Sequence, residues 1–188
     1  IPHASAALMA KYIFAEQDIA IPFITTLHGT DITLVGRDAG YLPVVAFSIN
    51  HSDGITSVSE SLKRDTLLYI KTKKHIEVIP NFIDFSRFKK TNKEHFKKAI
   101  APNGEKILMH VSNFRKVKRV EDVVKMFDIV YKKINAKLIL VGDGPERMAV
   151  EMLCRNLANC EHVRLVRKQE AIEHLLAIAD VFALPSDS

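Results

Sequence analysis

Short, continuous apolar runs rich in β-branched residues alternate with longer amphipathic stretches along almost the whole chain. Runs of this kind fall at 21–27, 54–58, 76–79, 106–111, 137–141, 162–166 and 181–184. Their hydrophobicity does not alternate, so strands built from them must be buried on both faces. Helices are expected between them, at 4–15, 42–51, 60–70, 119–132 and 145–157. Ser59 is placed to cap 60–70 by accepting a bond from an unpaired amide of the first turn. Val120, Val123, Val124, Phe127 and Val130 recur at helical spacing and leave Lys125, Lys132 and Lys133 on the outer side. Pro145 suits the first position of 145–157, where its missing N–H would have had no partner. Repeated βα units with such strands define the α/β class, with parallel sheets covered by helices on both faces.

A change of composition divides the chain. Residues 86–98 are basic and polar, and a Pro102-Asn103-Gly104 loop then precedes a fresh strand. The expected division is near residue 100, into 1–100 and 101–188. The first part has about three strands, and the second stops just after one. Each therefore reads as an incomplete Rossmann-like, doubly wound domain, and the 188 residues as a segment of a longer protein. Residue 1 is Ile, with no charged-then-apolar leader after it. No apolar run reaches the roughly 18 residues of a membrane span, so membrane association is not expected. Cys154 and Cys160 form no CxxC pair and read as free thiols in a reducing cytoplasm. The net charge of +5 is scattered over Lys71/Lys73/Lys74, Lys89/Lys90, Lys97/Lys98 and Arg115 to Arg119. With four Tyr, no Trp and no nucleic-acid motif, an anionic small molecule accounts for it better than a nucleic acid. The sequence is compatible with a homo-oligomer.

Two segments carry candidate chemistry. Thr25-Thr26-Leu27-His28-Gly29-Thr30-Asp31 directly follows a buried run, at the strand end where open α/β sheets bind ligands. Two readings stand for it: a ligand loop, or a plain loop in which Asp31 caps the next turn and His28 satisfies a carbonyl. Val111 to Arg119 leads from a strand into a helix N-terminus, whose free N–H groups and dipole favour an anion. Arg115 and Lys118 add charge, and Ser112 and Asn113 add neutral donors. Cations at a helix start oppose the dipole, and a bound phosphate would offset them; a solvated basic face is the other reading. Val141-Gly142-Asp143-Gly144-Pro145 reads as a tight strand-to-helix turn, and Pro80-Asn81-Phe82-Ile83-Asp84 as a turn with Asn81 in reach of a ligand. The remaining seven histidines, His110 among them, read as structural or surface residues. There is no GxxxxGK[ST], GxSxG, HExxH or Asp-x-Asp.

The order of these pieces resembles the retaining family-4 glycosyltransferases of the GT-B fold. The resemblance runs through His28, Val78-Ile79-Pro80-Asn81, the Arg/Lys loop, Val141 to Glu146, and Ala179 to Ser186. Within that family, Thr25 to Thr33, Asn81 to Asp84 and His110 to Val120 are most similar to the branch that glycosylates L-malate in bacillithiol biosynthesis. The resemblance implies transfer of N-acetylglucosamine from UDP-N-acetylglucosamine to the malate hydroxyl, with retention, and with neither metal nor cofactor. It implies His28 and Lys118 as catalytic residues, and Ser112, Asn113, Arg115 and Lys118 as the nucleotide-sugar contacts. Thr26, Asn81 and Arg115 would meet the acceptor. Relatives also carry a Gly-rich loop expected before Ile1 and a Glu-x7-Glu motif expected after Ser188, so the segment alone should be inactive. Arg167 stands where most relatives have a glycine. A lipid or polysaccharide acceptor, and a non-catalytic nucleotide-binding module, are the alternative functions.

Overall fold

A computed structural model of the chain describes residues 2–29, 32, 38–89 and 91–187. These form two compact units, Ile1–Ile83 and Asp84–Ser188. In the first, α1 (Pro2–Ala15), β1 (Ile24–Leu27), α2 (Leu42–His51), β2 (Gly54–Ser57), α3 (Glu60–Tyr69) and β3 (Ile76–Val78) follow in order. The strands pair in parallel as β1-β2-β3. Leu27, Ile55 and Ile76 of the sheet pack with Val45 and Ile49 of α2 and Leu62 of α3. Ser59 caps α3 as expected, its Oγ accepting from the Leu62 amide at 3.1 Å.

The second unit runs α4 (Glu94–Ile100), β4 (Lys106–Val111), α5 (Val120–Tyr131), β5 (Ala136–Val141), α6 (Arg147–Arg155), β6 (Val163–Val166), α7 (Ile172–Leu176) and β7 (Val181–Phe182). Its strands are also parallel, in the order β6-β5-β4-β7. The pleat sends alternate residues of β4 and β5 to opposite faces. Leu108, Leu138 and Leu140 meet Val123, Val124 and Phe127 of α5 and Val150 and Cys154 of α6. Ile107, Met109, Ile139 and Val141 meet Phe96 and Ile100 of α4 and Ile172 and Leu175 of α7. Both faces of the central strands are thus covered, as their unbroken hydrophobicity requires. β1 and β7, each paired with one described strand, are more open.

The fold departs from the sequence reading in three places. Residues 84–100 pack on the second unit, so the compact units part at Ile83/Asp84 and not near residue 100. The cause is α4: its lysines mask Phe96 and Ile100, an i,i+4 pair that lies against the sheet. α6 starts at Arg147, with Pro145 in the preceding turn, where the Glu146 amide donates to the Phe114 carbonyl at 2.9 Å. α7 is the third, a short helix missed because it spans one turn and a half. Both cysteines are free, and burial pushes the Cys154 thiol up to about 11, which leaves it unreactive.

Asp180 ties three elements together. It accepts from the Ile107 amide at 2.8 Å and from the Lys97 ammonium of α4 at 2.7 and 2.8 Å. The Asp180 amide returns a bond to the Ile107 carbonyl at 2.9 Å. Partial burial opposes ionisation, but the Ile107 amide and Lys97 outweigh it and hold the carboxyl below its ordinary range. A lowered folded value means that the stabilisation is present above the ordinary carboxylate range and lost as the pH falls through the folded value. Replacing Asp180 by Ala is expected to cost about 1–3 kcal/mol at neutral pH. In chemical denaturation the gap between wild type and variant should stay constant above the ordinary carboxylate range and narrow as the pH falls below it; a gap unchanged on acidification would remove the ionised carboxylate from this role.

Candidate active site

Because every described strand pair is parallel, each sheet has one carboxyl edge, and all the candidate residues lie on those edges. In the first unit Thr26 is exposed on β1, where its Oγ accepts from Thr56 Oγ at 2.8 Å. His28 comes one residue after the strand and is also exposed. Gly29, at φ +128°, supplies the turn that follows, and the Ile32 amide closes on its carbonyl at 2.8 Å. Thr26 and His28 share a cavity of about 380 Å³ whose walls include His3, Phe23, Val45 and Ser48. Asn81 lies exposed beyond β3, two strands along the same edge from His28, and does not line that cavity. Thr30 and Asp31 fall outside the described residues.

In the second unit the loop after β4 is held by the turn after β5. Phe114 is fully buried, its amide bonds the Asp143 carbonyl at 3.0 Å, and its carbonyl takes the Glu146 amide. The two segments approach so closely that a Cβ on Gly142 would collide with the Ser112 carbonyl oxygen, and one on Gly144 would stand 2.6 Å from the Phe114 oxygen. Gly142 also holds φ at +142°, a conformation side chains resist. The Gly142-Asp143-Gly144 segment is therefore the tight turn expected of it, and its purpose is to seat the loop beside it.

That seating sorts the basic residues. Lys116–Lys118 form one 3₁₀ turn, and Arg119, at φ +51°, leads into α5. Arg119 is bound to Asp122 at 2.7 Å, and that hydrogen bond holds the Asp122 carboxyl below its ordinary range. Glu121 and Asp122 in the first turn of α5 complement its dipole. The compensation that the sequence reading sought from a bound phosphate is thus partly internal, and Arg119 is occupied by it. Among the described residues Arg115 and Lys118 form no ion pair. Arg115 is exposed and borders a cavity of about 460 Å³ whose walls include Glu121, Asp122 and Glu146; Lys118 is half-buried. Asn113 is exposed, and Ser112 is half-buried with its Oγ 2.7 Å from His110 Nε2. His110, read from sequence as a structural histidine, is therefore joined to the site. Its spacing of two from Ser112 at a strand end was the available signal. Arg167 follows β6 and is exposed.

Two parallel-sheet units, each with candidate residues on its carboxyl edge, are a framework in which α/β proteins bind ligands, and comparison with known proteins defines the family. The chain belongs to the glycosyltransferases: residues 91–188 match Glycosyl transferases group 1, and residues 1–87 match Glycosyltransferase Family 4. It is 43% identical over all 188 residues to N-acetyl-alpha-D-glucosaminyl L-malate synthase of Bacillus anthracis, covering 49% of that protein. It is 30% identical to alpha-monoglucosyldiacylglycerol synthase of Streptococcus pneumoniae, over 77% of this chain and 36% of that one. The structure of Anabaena HepE in complex with UDP and glucose aligns with 97% of this chain and 50% of its own, at 17% identity and a TM-score of 0.79. WaaG, a glycosyltransferase of lipopolysaccharide biosynthesis, aligns with 92% or more of the chain (93%) at a TM-score of 0.70. The fold is accordingly that of the GT-B glycosyltransferases, and the chain spans about half the length of the relatives it matches.

Gly142→Ala is expected to destabilise the second unit by about 2 kcal/mol or more, since both the Cβ clash and the positive φ oppose it. Amide hydrogen exchange should show protection lost first at Ser112 and Phe114, whose N–H groups bond the β5 end. Unchanged protection there would mean that the turn does not seat the loop.

Proposed function

We propose that this chain supplies the central part of an enzyme that transfers N-acetylglucosamine from UDP-N-acetylglucosamine to the hydroxyl of L-malate, with retention of configuration. The observation that carries this reading is the 43% identity to the L-malate synthase along the entire chain, both candidate loops included. Lys118 and Arg115 support it, because they are cations on the carboxyl edge of the second sheet with no ion pair among the described residues. As the bond from the sugar to the diphosphate breaks, negative charge grows on the departing UDP. Lys118 stabilises that charge, and Arg115 holds a phosphate or a malate carboxylate in bidentate fashion. The two cations do this work without a metal ion. Asn113 donates to the nucleotide sugar. His28 faces the sugar near the reacting carbon, while Thr26 and Asn81 orient the acceptor.

One observation favours a second acceptor class, the 30% identity to a synthase named for a diacylglycerol product. An acceptor series with the complete protein separates the two. UDP release from UDP-N-acetylglucosamine should depend on L-malate and yield a malate glycoside. Turnover with diacylglycerol and none with malate would replace the acceptor assignment. UDP binding without turnover on any acceptor would leave a nucleotide-binding module instead.

In the same assay Lys118→Ala should lower kcat more than tenfold, as when about 2–4 kcal/mol of transition-state charge stabilisation is removed. Turnover equal to wild type would take Lys118 out of the mechanism.

A further inference from the structure

The surroundings of His110 decide where its proton sits. The ring is fully buried at the end of β4, on the sheet face that packs on α5 and α6. Its Nδ1 lies 2.8 Å from the Ala183 carbonyl oxygen, just beyond β7. A carbonyl only accepts, so Nδ1 carries a hydrogen. Burial lowers the pKa of the imidazole below its ordinary value; the bond to Ala183 works the other way, and the charge of Lys118 adds to the lowering. The ring is therefore neutral, and a neutral ring protonated on Nδ1 presents a lone pair at Nε2. Ser112 Oγ is 2.7 Å from that nitrogen, so the hydroxyl must donate to it.

A serine hydroxyl has one hydrogen and two lone pairs. With its hydrogen directed at His110, Ser112 offers further partners lone pairs alone. A phosphate oxygen placed there would face electron density, whereas an O–H or N–H group would be bound. We propose that His110 is a positioning residue that turns the Ser112 hydroxyl into an acceptor, so that Ser112 binds a neutral hydroxyl or N–H of the nucleotide sugar and does not donate to the diphosphate. This assignment replaces the sequence reading of Ser112 as a donor to an anion. It rests on the glycosyl-transfer reading for the identity of the ligand, and on the Ala183 and Ser112 contacts together with the burial of the ring for the direction of the bond.

The proton position is read directly from imidazole ¹⁵N shifts and long-range ¹H–¹⁵N correlations of the complete protein, with and without saturating UDP. Nδ1 protonated and Nε2 bare in both states is the expected result. A protonated Nε2 in either state would overturn the proposal, since Ser112 would then be free to donate. The Ala183 carbonyl would impose this tautomer on a purely structural histidine as well, so ligand binding decides the positioning role. Calorimetric titration of Ser112→Ala locates the ligand group. Loss of one neutral hydrogen bond should weaken UDP-N-acetylglucosamine binding about 3- to 10-fold. Loss confined to UDP-N-acetylglucosamine places the group on the transferred sugar, and equal loss for UDP places it on the nucleoside. No loss with either ligand would refute the acceptor role. Absence of UDP binding in the wild type would count against the glycosyl-transfer reading, while the ring shifts would still judge the direction of the Ser112 bond.

Discussion

The second unit depends on two backbone segments lying closer than side chains would allow. The Ser112 carbonyl oxygen occupies the space a Cβ at position 142 would need, and Gly144 leaves room for the backbone of Phe114. That contact lets the buried Phe114 ring act as a plug, with its amide and carbonyl both satisfied by residues 143 and 146. A loop without such an anchor would have to order its charged side chains on binding, at a cost in conformational entropy. Here the backbone is held by these contacts, so a ligand bound at this loop would meet groups already in place. The turn before α6 is tied into the same contact, because the Glu146 amide donates to the Phe114 carbonyl.

Electrostatic roles within the loop follow from this seating and not from the count of basic residues. Five positions from Arg115 to Arg119 hold four cations, and they are not equivalent. Arg119 is turned into α5 by its left-handed backbone and bound by Asp122, which with Glu121 meets the helix dipole. Arg115 and Lys118 form no ion pair among the described residues. Lys118 also acts on His110, its charge adding to the burial that lowers the pKa of the ring. In the proposed function the same ammonium would also meet the departing diphosphate.

Most of the fold was legible in the sequence because its strands are unbroken apolar runs and its main helices have strong one-sided periodicity. Every predicted strand and helix has a counterpart in the structure. What escaped was short or disguised. α4 has one partly buried pair, Phe96 and Ile100, among lysines that read as a linker, and this moved the expected division of the chain by about one helix. Of the candidate site, Thr26, His28, Asn81, Ser112, Asn113, Arg115 and Lys118 were singled out from the sequence, and the structure places each on a carboxyl edge. The part played by His110 was not read from the sequence: its spacing from Ser112 was a local sign for one nitrogen, but nothing nearby in the chain announces the Ala183 carbonyl that meets the other.

The sequence by itself determined the α/β class, the parallel order of βα units, and the edges on which ligand-binding residues stand. These depend on hydrophobic period and on chain direction, both local properties. Only the tertiary structure decided which loop is pinned by Gly142, far beyond Ser112 in the chain. It also decided which way a serine hydroxyl points. Those outcomes depend on atoms brought into contact from β7 and from the end of β5, residues far from the loop in the chain. No spacing along the sequence encodes a carbonyl at position 183 facing a histidine at position 110.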